Sequence, residues 1–290
     1  MKQFSLVTDS ASDLPIEILK EMDIQLLPLH FYFGEEEYAD TKEEKDITNK
    51  RFYERMRAGE APTTSAISLG DVEDYFEKKA AAGEDVLYLA FSSGLSATYN
   101  TGVIAANTVK ERHPEAKIYV VDTLAASLGQ GLLVYLCAEK ANAGASIEEV
   151  YEYAENIKLH ICHFFTVDDL VYLKRGGRIS AATALVGGLL NIKPLLHTDD
   201  EGHLTSIGKS RGRKASIVAL ADSVAGNELP ETKELAFICH GDCIEDAKLL
   251  ESILKEKYGF KKVVIGYTGP VIASHSGPGT LAAFYVGGKR

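Results

Sequence analysis

The feature that most constrains this chain is a recurring handover from a short apolar run, through a loop dense in hydroxyls, to a helical pattern. Residues 86–91 (VLYLAF) run into Ser92-Ser93-Gly94-Leu95-Ser96, and a helix is expected over 98–110. Residues 4–8 lead into Thr8-Asp9-Ser10-Ala11-Ser12-Asp13, after which Pro15 suits the first turn of a helix. Residues 118–121 precede Asp122-Thr123-Leu124-Ala125-Ala126-Ser127 and a helix over 125–141. Strand and helix periods that alternate in this way specify an α/β architecture. Ser146-Ile-Glu-Glu149 matches a capping box and opens a further helix. The charged stretch 34–46 (GEEEYADTKEEKD) reads as a solvated hairpin or loop.

At 290 residues the chain is long for one hydrophobic core, so two lobes are expected. Residues 1–160 make a three-layer α/β lobe. After His160 the texture shifts, and 161–290 form a second α/β lobe. Its strands are expected at 164–167, 193–197, 204–209, 236–239 and 263–267, with helices near 181–190, 214–225 and 245–257.

Charge excludes one class of partner. With 31 basic against 42 acidic residues and a net charge of -11, the surface repels phosphate backbones, so no nucleic acid is expected. The longest apolar run, 181–190 (AATALVGGLL), is about half of what a transmembrane helix needs. The N-terminus lacks the layout of a secretory signal. Four cysteines in so long a chain make no disulfide framework, and a reduced, cytoplasmic protein is expected.

The hydroxyl-rich segments carry the chemistry. A fourth joins the three above, Thr63-Thr64-Ser65-Ala66-Ile67-Ser68. In open α/β sheets ligands bind beyond the carboxyl ends of the strands, where helix N-termini favour anions and Ser or Thr add neutral donors. These residues are also the ordinary N-caps of helices. A carboxylate-binding loop set and a set of simple caps both fit.

Gly94-Leu-Ser96-Ala-Thr98 resembles a nucleophile elbow with Thr in place of the last Gly, so a serine hydrolase of acyl esters using Ser93 or Ser96 with His275 is the alternative. Gly129-Gln-Gly131 lacks the third glycine of a dinucleotide fingerprint. Cys239 and His240 are neighbours on a strand and point apart, so no metal site is expected. No P-loop of the G-x-x-x-x-G-K-[ST] kind occurs, and no cofactor is expected. Leu173-Lys-Arg-Gly-Gly-Arg-Ile-Ser180 alone reads as a solvated basic turn. Near the C-terminus His275 stands between serines on a loop held by Gly277-Pro278-Gly279.

Taken together, these blocks resemble the DegV family. The resemblance rests on Val7-Thr-Asp-Ser-Ala-Ser-Asp-Leu-Pro15, Pro62-Thr-Thr-Ser65 with Ser68, Ser92-Ser-Gly-Leu-Ser-Ala-Thr-Tyr99, and Val121-Asp-Thr123 with Ser127. Leu173–Ser180, Ile192-Lys-Pro194 and His275-Ser-Gly-Pro-Gly279 complete the ordered set, which covers nearly the whole chain. The resemblance implies a two-lobe DegV-type fold, with a mixed sheet in the second lobe and one long-chain fatty acid held between the lobes. It also implies a non-enzymatic binding subunit of a bacterial fatty acid kinase, whose separate ATP-binding subunit phosphorylates the held carboxylate for phospholipid synthesis. Carried over by motif, Thr64, Ser65, Ser93 and His275 hold the carboxyl group. Arg178, with Arg211 or Arg213, serves the partner kinase or the product phosphate. The acyl chain is expected against Leu185, Val186, Leu189, Leu190 and Leu195. Ala66 and Ala97 depart from the family's usual Gln and Gly, which bears on one polar contact and on local loop geometry.

Overall fold

The protein is described by a computed structural model over residues 4–180, 191–227, 229 and 232–290. In chain order its first part runs β1 (Ser5–Asp9), α1 (Ile16–Glu21), β2 (Gln25–Leu27), β3 (His30–Phe33), β4 (Glu36–Ala39), α2 (Asn49–Arg57), β5 (Thr63–Thr64), α3 (Leu69–Ala81), β6 (Val86–Ala90), α4 (Thr98–Arg112), β7 (Ile118–Asp122), α5 (Ser127–Asn142) and α6 (Ile147–Ile157). The remainder runs β8 (Ile161–Thr166), α7 (Val171–Arg175), β9 (Ile192–Thr198), β10 (Leu204–Arg211), α8 (Arg213–Asp222), β11 (Leu235–His240), α9 (Ile244–Glu256), β12 (Lys262–Tyr267), α10 (Pro270–Ser276) and β13 (Leu281–Val286). Among the described residues no helix is long and apolar enough to cross a membrane.

Three sheets result. A parallel one has the order β2-β1-β6-β7, and a mixed six-stranded one has the order β10-β9-β8-β13-β11-β12. A small antiparallel sheet, β4-β3-β5, packs on α2 through Phe31, Phe33, Phe52 and Tyr53. The charged stretch 34–46 is only partly loop, because β4 pairs with β3 across a two-residue turn. β13, whose apolar LAAFYV run is not among the expected strands, lies at the centre of the mixed sheet.

Alternation along the strands sorts the core into layers. Val7, Val86 and Tyr88 face α3 and α4 through Val72, Phe76, Ala105 and Val109. Leu6, Leu87 and Leu89 face the opposite way, onto Leu132 and Leu133 of α5 and Val150 of α6. That second core does not stop at the helices. It continues without a break into Phe165, Leu196, Phe237 and Phe284 of the mixed sheet. The far face of the mixed sheet packs Ile238 and Tyr285 on Ile217, Leu220, Leu250 and Leu254 of α8 and α9. The order is therefore helix, sheet, helix, sheet, helix, with one middle layer shared by both sheets.

α5 is the centre of that shared layer, and eleven of its residues are buried. Its N-terminal half, residues 127–134, is hidden on every side and must admit its neighbours closely, and the two glycines of Gly129-Gln130-Gly131 do this. A Cβ on Gly129 would stand 2.1 Å from His163 Nε2 and 2.8 Å from Phe284. On the opposite side a Cβ on Gly131 would stand 2.7 Å from the Ser12 carbonyl oxygen. Gln130 between them is fully buried, and its amide donates to Thr8 Oγ1 (3.1 Å), Asp9 Oδ1 (3.2 Å) and the Leu89 carbonyl (3.3 Å). Burial without partners would penalise such an amide heavily.

Replacing Gly129 with Ala should lower stability by about 1–3 kcal/mol, the usual range for overpacking a filled core. Gly70→Ala in α3, where the nearest atom would be Ser68 Oγ at 3.8 Å, should leave stability unchanged or slightly raised. Chemical denaturation of the two variants beside the parent protein reads the contrast.

Candidate functional site

Between the parallel and mixed sheets lies a cavity of about 320 Å³, within the size range of sites for small organic ligands. Its long wall is apolar, with Phe91, Leu95, Phe165, Phe284, Val271 and Ile272. One end is polar, where Thr64, Ser65, Ser96, Arg178, His275 and Ser276 meet.

Each polar group is placed by a local device. Thr64 lies on β5, whose pairing with Phe31 and Tyr32 of β3 sets it at the rim of the small sheet. His275 is not on a loop, as the sequence suggested, but on the last turn of α10, with Pro270 at the first helical position. Gly277 ends that helix at φ +83 and donates from its amide to the Ala273 carbonyl at 2.8 Å. His275 Nε2 lies 2.8 Å from Thr64 Oγ1, while Nδ1 has no hydrogen-bond partner among the described residues. The ring fits because residue 176 is glycine, where a Cβ would stand 2.2 Å from Nδ1. Burial, reinforced by the positive charges of Arg178 and Arg175, pushes the imidazole down to about 4. At neutral pH it is therefore uncharged.

Arg178 brings the one cation that lines the cavity among the described residues. Its Nε and Nη2 donate to the Leu95 carbonyl at 3.1 and 2.9 Å, and Nη1 donates to the Gly176 carbonyl. The basic turn is thus not a solvated one at this position. The guanidinium reaches from the segment after α7 across to the loop after β6, and its charge stays within the site. Ser276 Oγ, buried and without a partner among the described residues, adds a hydroxyl that sequence reasoning passed over.

Other expected site residues fall elsewhere. Ser93 is exposed and outside the cavity wall, and its amide donates to Asp122 Oδ1 at 3.1 Å. Ser96 lines the cavity in its place, sharing a 2.9 Å hydrogen bond with Thr98 Oγ1. Leu195 faces away: strand alternation turns Leu196 into the shared core and Leu195 onto the outer one. Leu185, Val186, Leu189 and Leu190 lie outside the described residues. Arg211 is exposed at the end of β10. Arg213 is engaged by Asp246 at 2.8 Å and Asp168 at 3.7 Å, away from the cavity. Ala66 and Ala97 both stand in the cavity wall.

The first hydroxyl loop serves the fold rather than the site. Asp9 accepts from Tyr88 Oη (3.0 Å), the Phe91 amide (2.8 Å) and Gln130, and burial pushes its carboxyl up to about 6 against those donors. Thr8 donates to the Leu89 carbonyl and Ser10 Oγ accepts from the Leu29 amide. The hydrolase alternative loses its geometry here. His275 pairs with Thr64 instead of Ser93 or Ser96, and the charges that bear on it are arginines rather than an orienting carboxylate. Among the described residues no cluster of metal-ligating side chains occurs.

Comparison with known proteins gives a consistent picture. Residues 3–287 match the family model described as "Uncharacterised protein, DegV family". A DegV domain-containing protein of Clostridium perfringens is 45% identical over 290 residues, covering 100% of this chain and 99% of that protein. A Thermotoga maritima structure described as a DegV lipid-binding protein superposes with a TM-score of 0.86 at 31% identity, covering 100% of both chains. A Thermus thermophilus DegV family protein, described by its fatty acid binding, superposes with a TM-score of 0.84 at 31% identity, covering 99% of this chain and 100% of that one.

The histidine at the polar end sets a pH expectation. Because the fold resists protonating His275, the stability it contributes is whole above pH 6.5 and is lost as pH falls toward 4. An NMR titration should give its ring a midpoint near 4. Unfolding measured from pH 7 to 4 should fall less steeply for His275→Gln than for the parent protein.

Proposed function

This chain belongs to the DegV family, and on that premise we propose that it binds one long-chain fatty acid between its two large sheets and presents the carboxylate to a separate ATP-dependent kinase subunit. The observation that carries this reading is the cavity itself, an apolar wall closed at one end by neutral donors and, among the described residues, a single cation. The relatives from Thermotoga maritima and Thermus thermophilus described as binding lipid and fatty acid support it.

The energetics suit such a ligand. A chain of ~15 methylenes at ~0.8 kcal/mol each represents ~12 kcal/mol of transfer free energy, of which ordering and association cancel a good part. The carboxylate must be met as it leaves water. Thr64, Ser65, Ser96 and His275 meet it with hydrogen bonds, and Arg178 offsets its charge. The neutral imidazole suits this role, since its Nε2 shares a hydrogen bond with Thr64 at the polar end and the ring brings no second charge into the site. Ser93 has no part in it.

Phosphoryl transfer needs nucleotide and metal, and the chain carries no P-loop. In this reading the partner kinase supplies both, working in the cytoplasm, and the acyl phosphate feeds phospholipid synthesis. Arg178 neutralises the carboxylate before transfer and the phosphate after it.

Native mass spectrometry of freshly purified protein should show one long-chain fatty acid per chain. An empty protein that also ignores added fatty acid would overturn the reading. Thr64→Val and His275→Leu should each weaken binding about tenfold, the effect of losing one charge-assisted hydrogen bond. The protein alone, given ATP, magnesium and fatty acid, should yield no hydroxylamine-trappable acyl phosphate.

A further inference from the structure

The cavity has a floor that can be followed strand by strand. Thr280, Ala282 and Phe284, just before and along β13, line it in succession over a rise of ~13 Å. Val286, the next residue on that face, does not line it. β8 stops at the same level. Phe165 and His163 line the cavity, whereas Ile161, next on that face, belongs to the closed core. Phe284 is paired with His163, Phe164 with His197, and Thr198 with Leu204. Phe284, His163, Thr198 and Leu204 therefore form one row across the mixed sheet, and all four line the cavity. The polar end lies at the other limit of this run, because Thr280 follows α10 and its His275 by a few residues. A carboxylate held there sends the methyl end of its chain to the row.

Behind the row the protein is firmly closed. The turn between β9 and β10 is stitched by Asp199, whose Oδ1 accepts from the amides of Glu201 (3.2 Å) and His203 (2.8 Å). The turn sits on the loop after β6. There Ser92 Oγ donates to the Gly202 carbonyl at 3.0 Å, and a Cβ on Gly94 would stand 2.8 Å from the Glu201 carbonyl oxygen. Arg290 ties the same turn down, donating to the Asp199 and Leu124 carbonyls at 3.2 and 2.8 Å and to those of Ile161 and Lys158 at 3.1 Å. A chain that reaches the row cannot lift the turn without breaking these bonds. Within the row, His163 and Phe284 are wedged on Gly129, where a Cβ would stand 2.1 and 2.8 Å from them, so α5 fixes their size. Leu204 is the freer member. It lies on the edge strand β10, is only partly buried, and packs against both the shared core and the core of α3 and α4.

We infer that Leu204 is a specificity residue, setting the longest acyl chain the cavity takes by closing the row that meets the methyl end. This rests on the fatty-acid reading above and gives that site an upper limit of chain length. Each methylene that enters the cavity adds to affinity, and the first one that finds the floor occupied adds nothing or must displace packed side chains.

The test measures binding of straight-chain saturated acids from dodecanoic to docosanoic by the full chain. Affinity of the parent protein should rise about fourfold per added methylene until the cavity is filled, and then stop rising. In Leu204→Ala the break should move to a chain about two carbons longer, so that an acid just beyond the parent's limit gains about tenfold. Leu204→Val, the milder truncation, should move the break the same way by less, and it carries the test if the first variant does not fold. Ile207→Ala, at an exposed position of the same strand, should leave the break where it is. A parent series with no break, a break unmoved in the Leu204 variants, or one that moves as far in Ile207→Ala would overturn the inference. Failure of the parent protein to bind any of these acids would instead overturn the fatty-acid reading and this inference with it.

Discussion

The passage of α5 between two sheets is the contact on which the rest of this structure depends. The N-terminal half of this helix, residues 127–134, is buried on both sides and has no solvent face on which to place polar residues, so its positions must be apolar, bare or hydrogen-bonded. Leu132 and Leu133 meet the first requirement, Gly129 and Gly131 the second, and the amide nitrogen of Gln130 the third. The hydrogen bonds of Gln130 also explain why the first hydroxyl loop is so polar. Thr8 and Asp9 receive the amide, and Asp9 in turn draws in the Phe91 backbone at the start of the loop that shapes the cavity.

The cavity lies beside this crossing. Its walls come from strands and helix ends of both sheets, and its polar end joins three otherwise separate pieces. These are the short strand that bears Thr64, the last turn of α10 that bears His275, and the segment after α7 that bears Arg178. None of the three suffices to hold a carboxylate alone. The imidazole is kept neutral by burial and by arginines, so the one positive charge in the wall among the described residues is the guanidinium. That division, a neutral imidazole and a fixed cation, suits the carboxylate proposed above, since neither charge would be left buried and uncompensated.

Much of this was legible beforehand, and for physical reasons. Buried parallel strands such as β6 read as continuous apolar runs, and the capping box at Ser146 forms as its spacing requires. Thr64, Ser65, Arg178 and His275 were found through ordered motifs, and the structure brings them to one place. What escaped depends on contacts between distant segments. Ser93 and Ser96 look equivalent in sequence, yet the turn after β6 sends one to solvent and the other to the cavity. Leu195 and Leu196 differ only in strand parity, which no composition reveals. Gly129-Gln-Gly131 resembled a failed nucleotide motif because its true constraint, His163 on one side and Ser12 on the other, lies far away in the chain. His163 itself sits in an ordinary apolar run, and only its pairing with Phe284 makes it part of the wall.

The shared middle layer also bears on how a ligand comes and goes. Two-lobed proteins often trap ligands by swinging on a hinge, which requires lobes whose cores are independent. Here one core runs from Leu6 through Leu132 to Phe237 without interruption. Burying a single such side chain contributes ~1.5–3 kcal/mol. Parting the sheets across about five of them would cost as much as a typical domain's entire stability of ~5–15 kcal/mol. A clamshell motion is therefore closed to this molecule, and the ligand proposed above would have to exchange by small displacements at the cavity rim while the two sheets stay clasped.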